Sequence, residues 1–179
     1  MRIIAGQWRG RPIIAPAGES TRPTSDRARE TLFSMLTSRL GGFTGLVVAD
    51  VFAGSGALGL EALSRGASAC LFLDSDRAAI AAIRSNLATL QCASGQVRQS
   101  SALGCPPPAV PCDLILLDPP YGWADLSRLL GQLSSAQWLK PGGWLSVETA
   151  RDTVIDAGAL TPIVHRQVGK AALHLLQAR

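Results

Sequence analysis

The chain has 179 residues, which is enough for one domain with a substantial core. Of these residues 47% are apolar and 17% are charged, a composition that excludes a disordered protein. No apolar run reaches the ~18 residues that a membrane span needs, and the N-terminus lacks the apolar core of a secretory signal. The four cysteines form no C-x-x-C pair and there are only two histidines, so we expect neither disulfides nor a metal site. This usage predicts a cytoplasmic protein.

The net charge of +4 is concentrated near the N-terminus. Residues 1–40 contain seven arginines and three acidic residues, whereas the rest of the chain has ten basic and ten acidic residues. Arginine outnumbers lysine fifteen to two, and the guanidinium fork matches phosphate oxygens. The segment is therefore either an ordinary solvated face or a surface for nucleic-acid phosphates. On the second interpretation, the predicted RNA contacts are Arg9, Arg11, Arg22, Arg27 and Arg29.

The same basic segment predicts a small hairpin followed by a helix. Residues 2–5 and 12–15 are expected to be short strands that turn through glycine-rich residues. Residues 22–40 have apolar positions at helical spacing, and the opposite face carries Arg27 and Arg29. We expect residues 1–40 to be a basic extension attached to the rest of the domain.

From residue 41 onward, short apolar runs alternate with helical patterns, which is typical of an α/β domain with a largely parallel sheet. The predicted strands are 46–51, 69–74, 95–100, 113–118 and 144–149. The predicted helices are 57–66, 76–90 and 126–139, with a proline-rich loop at 104–112. A terminal hairpin is expected around Gly169 and Lys170. With no long linker, residues 1–179 are predicted to be one domain whose core is 41–179.

A glycine-rich loop follows the first predicted strand. In DVFAGSGALGLEAL, the glycines 54, 56 and 59 open the next helix, whose N-terminus offers unpaired N–H groups to a ligand. Asp74 ends the second strand, twenty residues after Gly54, where its carboxylate can accept hydrogen bonds from ribose hydroxyls. This context predicts a nucleoside-bearing cofactor, either a dinucleotide or S-adenosylmethionine.

Asp50 begins to discriminate between these two cofactors. A carboxylate at the mouth of the loop would repel a pyrophosphate, but it could bind the amino acid end of S-adenosylmethionine. The alternative is that Asp50 accepts hydrogen bonds from backbone amides and braces the loop. The local sequence leaves both roles open.

The fourth core strand ends in Asp118-Pro119-Pro120-Tyr121. The prolines fix the backbone and remove two N–H donors, so this corner offers the carboxylate and carbonyl oxygens as acceptors. Their natural partner is a planar NH₂ group, and the ring of Tyr121 can stack on a flat base. An exocyclic amine held in this way would have its lone pair aimed at a sulfonium methyl group. The alternative is a strand-ending turn with an incidental tyrosine.

Together, RIIAGQWRGRPI, RPTSDRARETLF, DVFAGSGALGLEALSRGA and DPPY resemble the RsmD family, the 16S rRNA guanine-N2 methyltransferases. The resemblance implies a Rossmann-like class I methyltransferase fold with a seven-stranded, mostly parallel sheet whose last strand is antiparallel. It also implies transfer of a methyl group from S-adenosylmethionine to a guanine N2 in the small ribosomal subunit or its late assembly intermediate.

The resemblance also assigns roles to residues of this chain. Asp74 would bind the ribose and Ser101 the adenine, although many relatives have Asp or Asn near the latter position. Glu148 would support the site. Asp118, Pro119, Pro120 and Tyr121 would hold the guanine. The residues that would line the cofactor loop are Phe52, Ala53, Gly54, Ser55 and Gly56.

Four other functions account for part of the sequence. A DNA adenine-N6 methyltransferase also uses DPPY, but it usually needs a separate recognition region. A protein-glutamine methyltransferase favours Asn at the first position and does not need the arginines. A dinucleotide-dependent oxidoreductase leaves DPPY without a role, and a non-catalytic RNA-binding module explains only the arginines.

We also expect the protein to be a monomer.

Overall fold

The computed structural model describes residues 1–17, 26–135 and 137–179. Its helices and strands follow the predicted alternation. In chain order they are α1 (Asp26–Leu40), β1 (Val47–Val51), α2 (Ala57–Ser64), β2 (Ala69–Asp74), α3 (Arg77–Thr89), β3 (Gly95–Gln99), β4 (Cys112–Leu117), α4 (Leu126–Leu133), β5 (Leu139–Ala150), β6 (Thr161–Val168) and β7 (Ala171–Gln177).

The described strands form one seven-stranded sheet in the order β3-β2-β1-β4-β5-β7-β6. The pairs along β3-β2-β1-β4-β5 are parallel, and β7 is antiparallel to both of its neighbours. The predicted fold class is therefore confirmed, including the antiparallel last strand. The order of the strands reverses between β1 and β4, which is the topological switch point where ligands bind in such sheets.

Helices cover both faces of the sheet. Helices α1, α2 and α3 pack on one face, and α4 packs on the other. Strand β4 is a continuous apolar run because both of its faces are buried. Leu114 and Leu116 pack in the core on the side of α1, α2 and α3, and Ile115 and Leu117 pack in the core on the side of α4. All eight residues of α2 are buried. None of the described helices is long and apolar enough to cross a membrane.

Among the described residues, three differences from the predicted elements exceed two residues. Helix α4 ends at Leu133, where Ser134 Oγ bonds back to the carbonyl of Gly131, and serine competes with helix propagation in this way. Strand β5 begins at Leu139, five residues early, because pairing with β4 continues across an irregularity near Pro141. The two predicted N-terminal strands reduce to a single antiparallel bridge between Arg2 and Pro12.

Residues 1–14 form an N-terminal arm that lies against the core. Buried side chains from the core bind its backbone. Glu61, which is fully buried, accepts hydrogen bonds from the amides of Ile4 and Ala5 at 2.8 and 3.0 Å, and Ser64 Oγ accepts one from Trp8 at 3.0 Å. The arm also turns back on itself, since the Ile3 amide donates to the Arg11 carbonyl at 3.1 Å and the Ile13 amide donates to the Met1 carbonyl at 3.0 Å. The side chains of α2 thus bind arm amides that this pairing does not use.

Candidate active site

Two loops leave the sheet side by side at the switch point. Strands β1 and β4 are parallel neighbours, and Val51 lies opposite Leu117 in their register. The next residues, Phe52 and Asp118, therefore begin their loops at the same edge. We call residues 52–56 the glycine loop and residues 118–123 the proline loop. The carboxyl edge of an open α/β sheet is where such loops form a binding crevice.

The glycine loop uses the left-handed backbone region three times. Gly54 and Gly56 have φ of 55° and 80°, and Phe52 has φ of 63°, a conformation that non-glycine residues rarely adopt. A Cβ built on Gly54 meets no described atom within 4 Å, so one side of this loop faces open space. The loop is therefore shaped to let a ligand approach its backbone closely.

Asp74 lies beside the glycine loop, as predicted. Its Oδ2 accepts a hydrogen bond from the Gly54 amide at 2.9 Å, and its Oδ1 accepts one from the Asp76 amide at 2.9 Å. The carboxylate is half-buried and held at the end of β2. An acceptor fixed in this place suits ribose hydroxyls.

Asp50 has the loop-bracing position. It is 1% exposed, and its Oδ2 accepts a hydrogen bond from the Gly59 amide at 2.8 Å. Burial raises the pKa of this carboxyl group to about 8; the Gly59 amide lowers it, and the nearby carboxylates of Asp118 and Asp74 raise it further. A direct contact between Asp50 and a cofactor stays a prediction.

Replacing Asp50 by asparagine should remove part of the pH dependence of stability. The carboxyl group has a pKa of about 8 in the folded protein against an ordinary value of 3.8, so the folded state binds more protons between these pH values. The wild-type stability contributed by Asp50 should therefore fall as pH rises from about 4 to about 8. The asparagine side chain keeps an acceptor for the Gly59 amide but does not titrate.

The measurement is the free energy of unfolding in urea across this pH range. The advantage of Asp50→Asn over the wild type should grow with pH. Asp152→Asn, which changes an exposed carboxylate, is the control. Parallel curves for wild type and Asp50→Asn would show that Asp50 does not titrate in this window.

The proline loop holds its tyrosine against the end of β5. The Tyr121 hydroxyl donates a hydrogen bond to Glu148 Oε1 at 3.2 Å, and Glu148 is 8% exposed. The Tyr121 side chain is 36% exposed, so its ring is accessible. Pro119 and Tyr121 line a cavity of about 40 Å³ together with Glu148 and Thr149. Glu148 thus contacts a residue of the DPPY motif, in keeping with a supporting role.

An aromatic contact joins the two loops. The rings of Phe52 and Trp123 meet edge to face, with centroids 5.0 Å apart. Trp123 is not among the site residues predicted from the sequence, although its position two residues after Tyr121 was an available signal. Because edge-to-face pairs prefer a defined geometry, this contact fixes the separation of the loops.

Ser101 follows β3 at the same edge of the sheet. Its side chain is exposed, and its Oγ accepts a hydrogen bond from the Gly104 amide at 3.0 Å. Gln99 lies opposite Asp74 in the register of β2 and β3, which brings Ser101 near the ribose-binding candidate. Contact with adenine stays a prediction. The predicted loop residues Ala53 and Ser55 are both buried.

The prediction that Arg29 binds RNA is wrong. Arg29 is 0% exposed, and its Nη2 donates hydrogen bonds to the Arg2 carbonyl and to Asp26 Oδ1. It packs between α1 and the N-terminal arm, and burial lowers the pKa of its guanidinium group. Arg27, by contrast, is exposed in the first turn of α1. Arg22 lies outside the described residues.

Arg9 and Arg11 are exposed, but they lie far from the proline loop. The Arg11 guanidinium donates a hydrogen bond to the carbonyl of Thr89, the last residue of α3, and the turn that carries Arg9 lies beside Ser64 at the end of α2. In a βαβ unit these helix ends lie at the amino edge of the sheet. The six residues of β2 separate the two edges by about 20 Å. A ligand that contacts Arg9 or Arg11 is therefore bound far from the proline loop.

One larger cavity of the described structure lies away from the two loops. A cavity of about 260 Å³ lies at the amino edge of β5, lined by residues such as Leu139, Pro141 and Ala178. It contains none of the predicted site residues. No cluster of three His, Cys, Asp or Glu side chains capable of holding a metal occurs among residues 1–17, 26–135 and 137–179.

The chain matches the model of a family described as Conserved hypothetical protein 95 over residues 1–177. It is 36% identical over 180 residues to ribosomal RNA small subunit methyltransferase D of Escherichia coli, covering 99% of this chain and 89% of that protein. It is 41% identical over 157 residues to the Haemophilus influenzae protein of the same name, covering 85% and 80% of the two chains.

Solved structures show the same relationship. The fold matches that of the E. coli protein yhhF with a TM-score of 0.86 and 35% identity, over 100% of this chain and 98% of that one. An RNA methyltransferase from Salinibacter ruber in complex with S-adenosyl-L-homocysteine shares the fold at 14% identity, with a TM-score of 0.67 over 87% of this chain and 92% of that one. On its family match and on these relatives, the chain belongs to the ribosomal RNA small subunit methyltransferase D (RsmD) family, which its motifs had predicted.

Proposed function

We propose that this protein transfers a methyl group from S-adenosylmethionine to the exocyclic N2 amine of a guanine in 16S rRNA. The observation that carries the proposal is the placement of two loops at one switch point. One loop exposes backbone to a ligand beside Asp74, and the other presents Asp118 and an accessible Tyr121 ring. Phe52 and Trp123 hold them together.

The glycine loop and Asp74 bind the cofactor. The open side of Gly54 fits a ligand that approaches the backbone, and the fixed carboxylate of Asp74 accepts hydrogen bonds from the ribose. Ser101 would hold the adenine. Bound S-adenosylmethionine supplies an electrophilic methyl group on a sulfonium.

The proline loop binds and orients the base. The Asp118 side chain and the fixed carbonyls of the loop accept hydrogen bonds from the N2 amine, which otherwise has its lone pair delocalised into the ring. These acceptors aim the lone pair at the methyl group and stabilise the positive charge that develops on nitrogen. Tyr121 stacks on the base, and its hydrogen bond to Glu148 holds its ring in place.

The proposed substrate is the small ribosomal subunit or its late assembly intermediate. The names of the relatives, ribosomal RNA small subunit methyltransferase D, support this RNA as substrate, and we propose that the protein acts on it in the cytoplasm. We propose that it acts as a monomer and without a metal. Exposed Arg9, Arg11 and Arg27 contribute phosphate contacts.

Mapping the methylated nucleotide after incubation with unmodified small subunits tests this function. Tritiated S-adenosylmethionine should label one guanine at N2 in the particles. Naked 16S rRNA and plasmid DNA are the comparison substrates, and calorimetry with S-adenosylhomocysteine and NAD compares the two cofactors. Label on adenine in DNA would favour the adenine-N6 alternative. Preferential binding of NAD would refute methyl transfer.

A further inference from the structure

A buried amide connects the N-terminal arm with the glycine loop. Asn86, on α3, is 3% exposed. Its Oδ1 accepts a hydrogen bond from the Ile14 amide at 2.9 Å, and its Nδ2 donates to the Ile14 carbonyl at 3.0 Å. The second hydrogen of Nδ2 goes to the Ser55 carbonyl at 2.9 Å. One side chain therefore binds both the arm and the loop proposed to hold the cofactor.

The bond to Ser55 fixes one peptide unit of the glycine loop. The carbonyl of Ser55 points to Asn86, while the amide of Gly56 in the same peptide donates to the Ala53 carbonyl at 2.7 Å. This peptide joins Ser55 to Gly56, and both neighbours of Ser55, Gly54 and Gly56, have left-handed φ. Glycines have many accessible conformations, so a loop built on them needs external bonds to keep one of them.

Other contacts of the arm do not reach this peptide. Glu61 and Ser64 also bind the arm backbone, but their described hydrogen bonds go to the arm and to Arg65. Met1 touches the loop more weakly, with its Sδ 3.7 Å from Ser55 Oγ. Among these anchoring side chains, Asn86 is the one that donates to the glycine loop.

We propose that Asn86 is a positioning residue that holds the glycine loop in its cofactor-binding conformation and ties this conformation to the docked arm. Asparagine suits the place because it offers one acceptor and two donors at once. An aspartate would keep the acceptor for the Ile14 amide but would face two carbonyl oxygens without a hydrogen to donate. The proposal rests on the proposed cofactor and does not depend on which base is methylated.

The test compares Asn86→Ala and Asn86→Asp with Ser64→Ala in the full chain. Ser64→Ala removes bonds to Ala5 and Trp8 in the arm and none to the loop, so it is the matched control. Calorimetry should show S-adenosylhomocysteine bound about tenfold more weakly by both Asn86 variants, the factor that corresponds to ~1.4 kcal/mol, whereas Ser64→Ala should stay within about twofold. In turnover, the KM for S-adenosylmethionine should rise more than kcat falls.

Hydrogen exchange provides a readout that needs no ligand. Both Asn86 variants should lose protection in peptides covering residues 52–56, and Ser64→Ala should lose it only in the arm. If Asn86→Ala binds S-adenosylhomocysteine like Ser64→Ala, or leaves exchange of the glycine loop unchanged, the proposal is wrong. If the wild type fails to bind S-adenosylhomocysteine, the proposed function fails, while the exchange data still decide whether Asn86 holds the loop.

Discussion

Replacing Asp118 by alanine should lower the methyl-transfer rate by about 10³-fold while the affinity for S-adenosylhomocysteine stays within about twofold. The carboxylate begins the proline loop, next to Phe52 across the switch point, and the amine of the base needs it as an acceptor. Alanine removes an acceptor that matters most as charge develops in the transition state. The cofactor side, built on Asp74 and the glycine loop, keeps its described bonds.

Single-turnover methylation of unmodified small subunits and calorimetry of the cofactor product measure the two effects separately. Asp125→Ala is the matched control, because this exposed carboxylate precedes α4 and makes no side-chain cap bond there. It should retain nearly full activity. If Asp118→Ala transferred methyl groups at the wild-type rate, Asp118 would have no role in the reaction. If its affinity for S-adenosylhomocysteine fell as much as its rate, Asp118 would belong to the cofactor site instead.

Gly59→Ala should destabilise the fold by at least about 2 kcal/mol. A Cβ at this position would lie 2.4 Å from Cε1 of Phe72 and 2.7 Å from Sγ of Cys70, both of which are side chains of β2. These side chains are 0% and 1% exposed, so they have no space into which to move. The third glycine of the loop motif is thus required by the packing of α2 against the sheet.

Urea unfolding measures this effect, and Gly131→Ala provides the control. Gly131 is exposed in α4, and a Cβ there meets no described atom within 4 Å. In an open helical position alanine should stabilise by about 0.5–1 kcal/mol. Equal stability of Gly59→Ala and the wild type would mean that β2 and α2 can separate, contrary to the described packing.

The sheet and its switch point were predictable because they depend on local patterns. Strand β4 is apolar on both faces, and the loops that follow β1 and β4 carry the glycines and the DPPY motif in the sequence itself. The site residues Asp74 and Asp118 could be placed because parallel strands end at one edge. The contact between Phe52 and Trp123 could not be predicted, since the periodicity of apolar residues does not indicate which loop side chains meet.

The basic extension was predicted less well because its arrangement depends on distant partners. Helical spacing assigns Arg29 to a polar face, but the carbonyl that binds it belongs to Arg2, 27 residues away. Likewise, the clustering of Arg9 with the other arginines in sequence suggests one surface. The structure takes the turn that carries Arg9 to the amino edge, because α2 satisfies the backbone of the arm.

Helix α2 has no outer face, and this limits how the protein can respond to its ligands. Since all eight of its residues are buried, the support under the glycine loop cannot tilt or slide without opening the interior. We therefore expect the liganded and ligand-free backbones to superimpose at residues 57–64. Adaptation to a bound nucleotide would then fall to the more accessible segments that carry Ser101 and Tyr121.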